Sequence, residues 1–149
     1  MPHQLLLFIH VTGVIVWVGG MVFAYFCLRP AAASTLEPPQ RLPLWSAAFG
    51  RFFLLVRVAV AAILLSGGAM MYLRGFANAP IGWHVMLLLG LVMAAIFLYI
   101  DRMLYPKLRS HVEAAQWPQG AAVLNRIRQG VAVNLVLSVC TIAAALSAR

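Results

Sequence analysis

Charged side chains, and acidic ones above all, are scarce in this sequence. Only 9% of its 149 residues are charged, only three are acidic, and 64% are hydrophobic. Soluble domains are about half apolar and about a quarter charged, so the composition excludes an ordinary soluble domain and indicates one small integral membrane domain. The sequence also has no paired carboxylates and no nucleotide-binding motif. A self-contained enzyme of the soluble type is therefore not predicted.

Cysteine is equally scarce, with only Cys27 and Cys140 in the chain. Both lie in apolar runs and neither belongs to a metal-site spacing or a disulfide framework, so we expect them to be buried packing residues inside the membrane. The net charge of +8 would suggest nucleic acid as the partner of a soluble protein. Here the basic residues fall in loops, as they do on the cytoplasmic side of membrane proteins, and no nucleic-acid partner is predicted.

Four apolar segments are each close to the roughly 20 residues that a helix needs to cross a bilayer. They cover approximately residues 4–28, 52–73, 81–104 and 130–146. The pattern predicts an all-α fold, a four-helix membrane bundle that forms a single transmembrane domain over residues 1–149. Residues 34–43 are rich in proline and are predicted to form a loop, because proline interrupts helices.

Basic residues are unevenly divided between the two ends of this bundle. Eight lysines and arginines fall beside the loops after the first and third spans, and two fall on the opposite side. Cytoplasmic loops carry the excess of positive charge, so both termini are predicted outside, in a multi-pass protein of the bacterial inner membrane. The lipid bilayer is then its first partner, and lipid-facing small residues would also permit a homodimer.

A histidine inside a membrane span is costly, and it is a functional-site hypothesis by default. His10 lies about two turns from the outer end of the first span, and His84 about one turn from the outer end of the third. Two imidazoles on facing helices can bind a heme iron from both sides, whereas one leaves a coordination position open. Gly13 and Gly90 offer room for a porphyrin. The structural alternative is a histidine bonded to a neighbouring helix, with glycines that serve helix packing.

Copper competes for the same outer residues, because imidazole and thioether groups are suitable ligands for Cu(I). A copper site would draw on His3, His10, His84, Met70 and Met86. Methionine is also a common filler of apolar cores, so this pattern has a structural alternative as well.

A second group of polar residues lies at the opposite end of the spans. Arg57 and Asp101 have similar depths, and a buried charge needs a partner, so we expect them to pair with help from Asn134 or Tyr25. The functional alternative makes Arg57 an anchor for a heme propionate. Arg74 takes that role if the propionates point outward.

The first span, with His10 followed by Trp17-Val18-Gly19-Gly20, resembles the H-x6-W-x-G-G signature of the copper resistance protein D family. Further segments look like small members of that family, namely Leu28-Arg29-Pro30, Arg51-Phe52-Phe53 and Asn134-Leu135. The resemblance implies a membrane protein related to copper handling. It also turns Trp17 from a generic packing residue into a candidate cofactor-binding residue.

The chain is also similar to the membrane protoporphyrinogen oxidase family, with a histidine early in the first span and another at the start of the third. That resemblance implies heme b bound by His10 and His84. The predicted function is therefore a heme b redox protein, which transfers electrons to an unspecified redox partner or acts as an oxidoreductase on a small molecule. The alternatives are a copper-binding or copper-import protein, and a non-catalytic partner subunit whose histidines only pack.

Overall fold

Four long helices make up the computed structural model, which describes residues 2–147 and contains no strand among them. Helix α1 consists of Pro2–Val22, a π-helical turn Phe23–Leu28, and Arg29–Thr35. Helix α2 is Pro38–Arg74, and the short 3-10 turn Phe76–Asn78 follows it. Helix α3 consists of Ile81–Tyr99, a π-helical turn Ile100–Leu104, and Tyr105–Glu113, and helix α4 is Trp117–Ser147.

Each of these helices is long and apolar enough to cross a membrane. The predicted all-α membrane bundle is thereby confirmed. The helices extend beyond the predicted apolar spans, because α2 begins at Pro38 and α4 begins at Trp117. Hydropathy marks only the part of a helix that matches hydrocarbon, whereas the helix itself continues into the polar layer.

The loop predicted over residues 34–43 is wrong except at Leu36 and Glu37, because every other residue of that stretch is helical. Pro38 and Pro39 occupy the first turn of α2, where backbone N–H groups have no partner within the helix and proline costs nothing. Pro43 lies one turn further in and removes a single backbone hydrogen bond. The adjacent Leu42 is 1% exposed, so burial of its side chain helps to offset that loss.

Helix α1 packs along α2, and α3 packs along α4. Gly13 lets the first pair approach closely, because a Cβ atom there would lie 2.8 Å from Cγ1 of Ile63 and 3.1 Å from the carbonyl oxygen of Ala59. Gly13 is therefore a packing residue, in line with the structural alternative for the glycines. The burial predicted for the two cysteines is wrong, because Cys27 and Cys140 are both exposed on the surface of the bundle.

The two ends of the bundle differ in the segments that they contain. We call the end with His3, Ser147 and the α2–α3 loop the terminal end. The connecting end holds the α1–α2 and α3–α4 turns. Which of these ends faces the cytoplasm is a prediction from the basic residues.

Candidate functional site

A cavity of about 510 Å³ opens between the four helices near the terminal end. Its walls are largely apolar, and Trp17 and Gly90 contribute to them as candidate residues from the sequence. The imidazole and thioether groups in its lining, which can bind a metal, come from His3, His10, Met70, Met71, Met86 and Met93. We call this space the terminal cavity.

The imidazole of His10 is held against α2 by one of its two nitrogens. Nδ1 lies 3.0 Å from the carbonyl oxygen of Ile63 and 3.2 Å from the hydroxyl oxygen of Ser66. A carbonyl can only accept, so Nδ1 carries the proton and donates it. The Ser66 hydroxyl donates to the carbonyl of Ala62 and accepts from His10. In the neutral ring Nε2 therefore keeps a free lone pair, the form in which histidine binds metals.

Gly67 provides the space that this ring occupies. A Cβ atom on Gly67 would lie 3.0 Å from Cε1 and 3.3 Å from Nδ1 of His10, which is tighter than an ordinary contact. The structural alternative, a histidine bonded to a neighbouring helix, correctly describes Nδ1. That alternative assigns no role to Nε2. A histidine that binds a metal through one ring nitrogen normally donates a hydrogen bond from the other, as Nδ1 of His10 does here.

The methionines of the terminal cavity come from α2 and α3. Met70, Met71 and Met93 are buried, at 8%, 2% and 3% exposure, and Met86 is half-buried. Met93 was missed from the sequence, although Met86, Gly90 and Met93 follow the i, i+4, i+7 spacing that marks one face of a helix. That spacing was the available signal for it.

His84 does not line the terminal cavity, although Trp83 and Met86 on either side of it do. Its side chain is exposed, and its Nδ1 lies 3.3 Å from the carbonyl oxygen of Pro80, the residue that immediately precedes α3. The side-chain directions of successive helical residues differ by about 100°. When Trp83 faces the cavity, His84 therefore points away from it. The structure thus brings His10 and the methionines together but leaves His84 outside.

Arg57 and Asp101 form the predicted ion pair, which is confirmed. Nε and Nη2 of Arg57 donate to the two carboxylate oxygens of Asp101 at 2.9 and 2.8 Å. Asn134 does not assist, since its amide donates to the carbonyl oxygen of Met93 at 3.2 Å. Neither Arg57 nor Arg74 lines the terminal cavity. The guanidinium of Arg74 lies over the ring of Trp83, 5.4 Å from its centroid.

The donor set restricts the metals that the terminal cavity suits. Within residues 2–147, no three His, Cys, Asp or Glu side chains come together as a metal site would require. A site in this cavity must therefore rely on thioethers, which are soft ligands. This chemistry favours a soft, monovalent metal over zinc or magnesium.

Comparison with known proteins yields one family match and no individual relative. The comparisons with curated proteins and with solved structures found no match. The family model described as copper resistance protein D matches residues 46–148. The match covers more than half of the chain, begins after α1 and includes all the cavity methionines. By this match, the chain belongs to the copper resistance protein D family.

Proposed function

We propose that this protein binds copper as Cu(I) in the terminal cavity, with Nε2 of His10 as one ligand and methionine thioethers as the others. The observation that carries the proposal is the hydrogen bond from Nδ1 of His10 to Ile63, at 3.0 Å. It leaves a lone pair on Nε2 of a histidine that lines the terminal cavity, where the other metal-binding groups are mainly thioethers.

The oxidation state follows from the surroundings of the site. The solvation that an ion loses on entering an apolar cavity grows with the square of its charge. Imidazole and thioether ligands are neutral, so no ligand charge offsets the charge of the metal. A monovalent ion therefore enters at far lower cost than a divalent one, which favours Cu(I) over Cu(II).

The direction of entry rests on the predicted orientation in the bacterial inner membrane. His3 lies at the terminal end and lines the cavity, so it is the first imidazole that an ion would meet from that side. With both termini outside, copper enters from the periplasm. Copper import by this chain would then need a path for the ion that continues from Met93 towards the connecting end.

Heme b is the second candidate, and the size and apolar lining of the terminal cavity favour it. His10 would be the one histidine of the predicted pair that could hold the heme, because His84 lies outside. A Cβ atom at Gly90 would meet nothing within 4 Å, so a flat ring has room beside α3. One axial histidine leaves a coordination position open, which suits redox chemistry on a small molecule better than electron transfer alone.

The test is an anaerobic Cu(I) titration of the purified protein against a coloured Cu(I) chelator, bicinchoninate. We expect tight binding in the wild type and, because outer-shell changes alone already cost about 10–100-fold, a loss of more than about 100-fold in His10→Ala. His84→Ala is the matched control, since it removes an exposed imidazole outside the cavity, and it should bind copper like the wild type.

Three other outcomes would replace the copper proposal. Equal copper affinity in His10→Ala and His84→Ala would contradict it. A Soret band after reconstitution with heme, lost only in His10→Ala and without copper binding, would favour the heme candidate. A folded protein that binds neither ligand would favour the partner-subunit alternative.

A further inference from the structure

A second cavity, of about 310 Å³, lies at the connecting end and is lined by three arginines from three different helices. Arg29 comes from α1, Arg41 from α2 and Arg128 from α4. We call this space the arginine cavity. Its remaining walls combine aromatic and amide side chains with aliphatic ones, including Tyr25, Trp45, Phe49 and Asn125.

The three arginines are partly buried without a counter-charge. Arg29, Arg41 and Arg128 have intermediate exposure, and none of them forms an ion pair within residues 2–147. No acidic side chain lines the cavity. Like charges in a partly desolvated space are unfavourable, so this arrangement is suited to an anion from outside the chain.

The position of Arg29 is set by a local irregularity of α1. The π-helical turn Phe23–Leu28 immediately precedes it and carries Tyr25. The guanidinium carbon of Arg29 lies 5.2 Å from the centroid of the Tyr25 ring, a cation–π contact that orients the side chain. Single π-helical turns within α-helices often occur at functional sites. Two residues of this turn, Ala24 and Tyr25, line the arginine cavity.

We propose that the arginine cavity binds the phosphate headgroup of an anionic phospholipid. Guanidinium groups match phosphate oxygens in a two-pronged geometry. Basic pockets between transmembrane helices on the cytoplasmic side are suited to anionic lipid headgroups, and the excess of basic residues assigns the connecting end to that side. Trp45 and Phe49 supply an apolar wall for the glycerol end of the acyl chains.

The test is native mass spectrometry of the detergent-solubilised protein with added phosphatidylglycerol or phosphatidylethanolamine. We expect the wild type to retain phosphatidylglycerol preferentially. Each basic residue near an anionic lipid contributes about fivefold in affinity. The combined variant Arg29→Gln, Arg41→Gln and Arg128→Gln should therefore bind phosphatidylglycerol about 100-fold more weakly.

The matched control removes the same amount of charge from the same end of the bundle. Arg51, Lys107 and Arg126 are exposed and do not line the cavity, so their combined change to glutamine should leave lipid retention near that of the wild type. Circular dichroism in detergent checks the fold of both variants. If the cavity variant does not fold, Arg128→Gln alone should weaken retention about fivefold.

Two results would overturn the proposal. An equal loss of phosphatidylglycerol in the cavity and control variants would show that general positive charge holds the lipid. Binding of inorganic phosphate in the absence of lipid, with displacement of phosphatidylglycerol, would assign the arginine cavity to a soluble anion instead.

Discussion

Gly67 faces the imidazole of His10 so closely that adding one methyl group there should weaken copper binding and leave the stability of the protein nearly unchanged. In Gly67→Ala the new Cβ would lie 3.0 Å from Cε1 of His10, and ordinary contacts begin at 3.4 Å. The ring must therefore move away from α2 by about 0.4 Å. Ile63 and Ser66 are on the same helix as Gly67, so both hydrogen bonds from Nδ1, at 3.0 and 3.2 Å, lengthen together.

The energies of this change nearly cancel. Alanine is favoured over glycine within a helix by about 1 kcal/mol, and the weakening of the two hydrogen bonds from His10 costs about 1 kcal/mol. The free energy of unfolding of Gly67→Ala should thus stay close to that of the wild type. The affinity for Cu(I) should fall about 10–100-fold, which is typical when the outer-shell support of a ligating histidine is disturbed.

Gly68→Ala is the matched control, because a Cβ atom there would meet nothing within 4 Å. It should raise the free energy of unfolding by about 1 kcal/mol and leave the affinity for Cu(I) unchanged. The assays are the anaerobic chelator titration and denaturant unfolding in detergent, followed by circular dichroism. If Gly67→Ala binds Cu(I) as tightly as Gly68→Ala, the assignment of His10 as a positioned ligand is refuted.

The remaining predictions concern the ion pair and the cavity methionines. Arg57→Met should destabilise the bundle clearly more than Arg102→Met, because the Asp101 side chain is 0% exposed and would retain only Arg102 at 3.5 Å; adding Asp101→Leu should restore most of the loss. Arg102→Met, at a side chain 73% exposed, should cost less than about 1 kcal/mol. Denaturant unfolding checks all three, and equal losses for the two arginines would contradict the reasoning. Met86→Leu should weaken Cu(I) binding about tenfold or more, whereas the exposed Met103→Leu should not change it in the same titration.

Depth along the membrane normal could be predicted from the sequence because it depends on counting residues. Each helical residue adds about 1.5 Å, so the level of Arg57 and Asp101 follows from where the apolar runs begin and end. Their ion pair was predicted on that basis and is present at 2.8 Å. Hydropathy likewise depends only on the residues of each segment, so the four membrane helices could also be predicted from the sequence.

Rotation about the helix axis could not be predicted from depth. His10 and His84 were expected to face one another because their levels are similar. The direction of each side chain depends on which face of α3 packs against the other helices, and the apolar sequence of α3 offers no polar face to decide it. Tertiary packing places Trp83 and Met86 in the wall of the terminal cavity and His84 outside it.

The sequence by itself determined that this protein is a helical membrane bundle and that His10 is the one ionisable side chain deep in the first apolar span. Composition and hydropathy depend on the residues alone and not on contacts between helices. Only the tertiary structure decided what surrounds that histidine. Contacts between helices that are far apart in sequence determine which nitrogen of His10 is protonated and provide the space for its ring at Gly67. Such contacts also bring Met93 into the same cavity as His10. The same holds for the arginine cavity, because Arg29, Arg41 and Arg128 meet only when α1, α2 and α4 are packed.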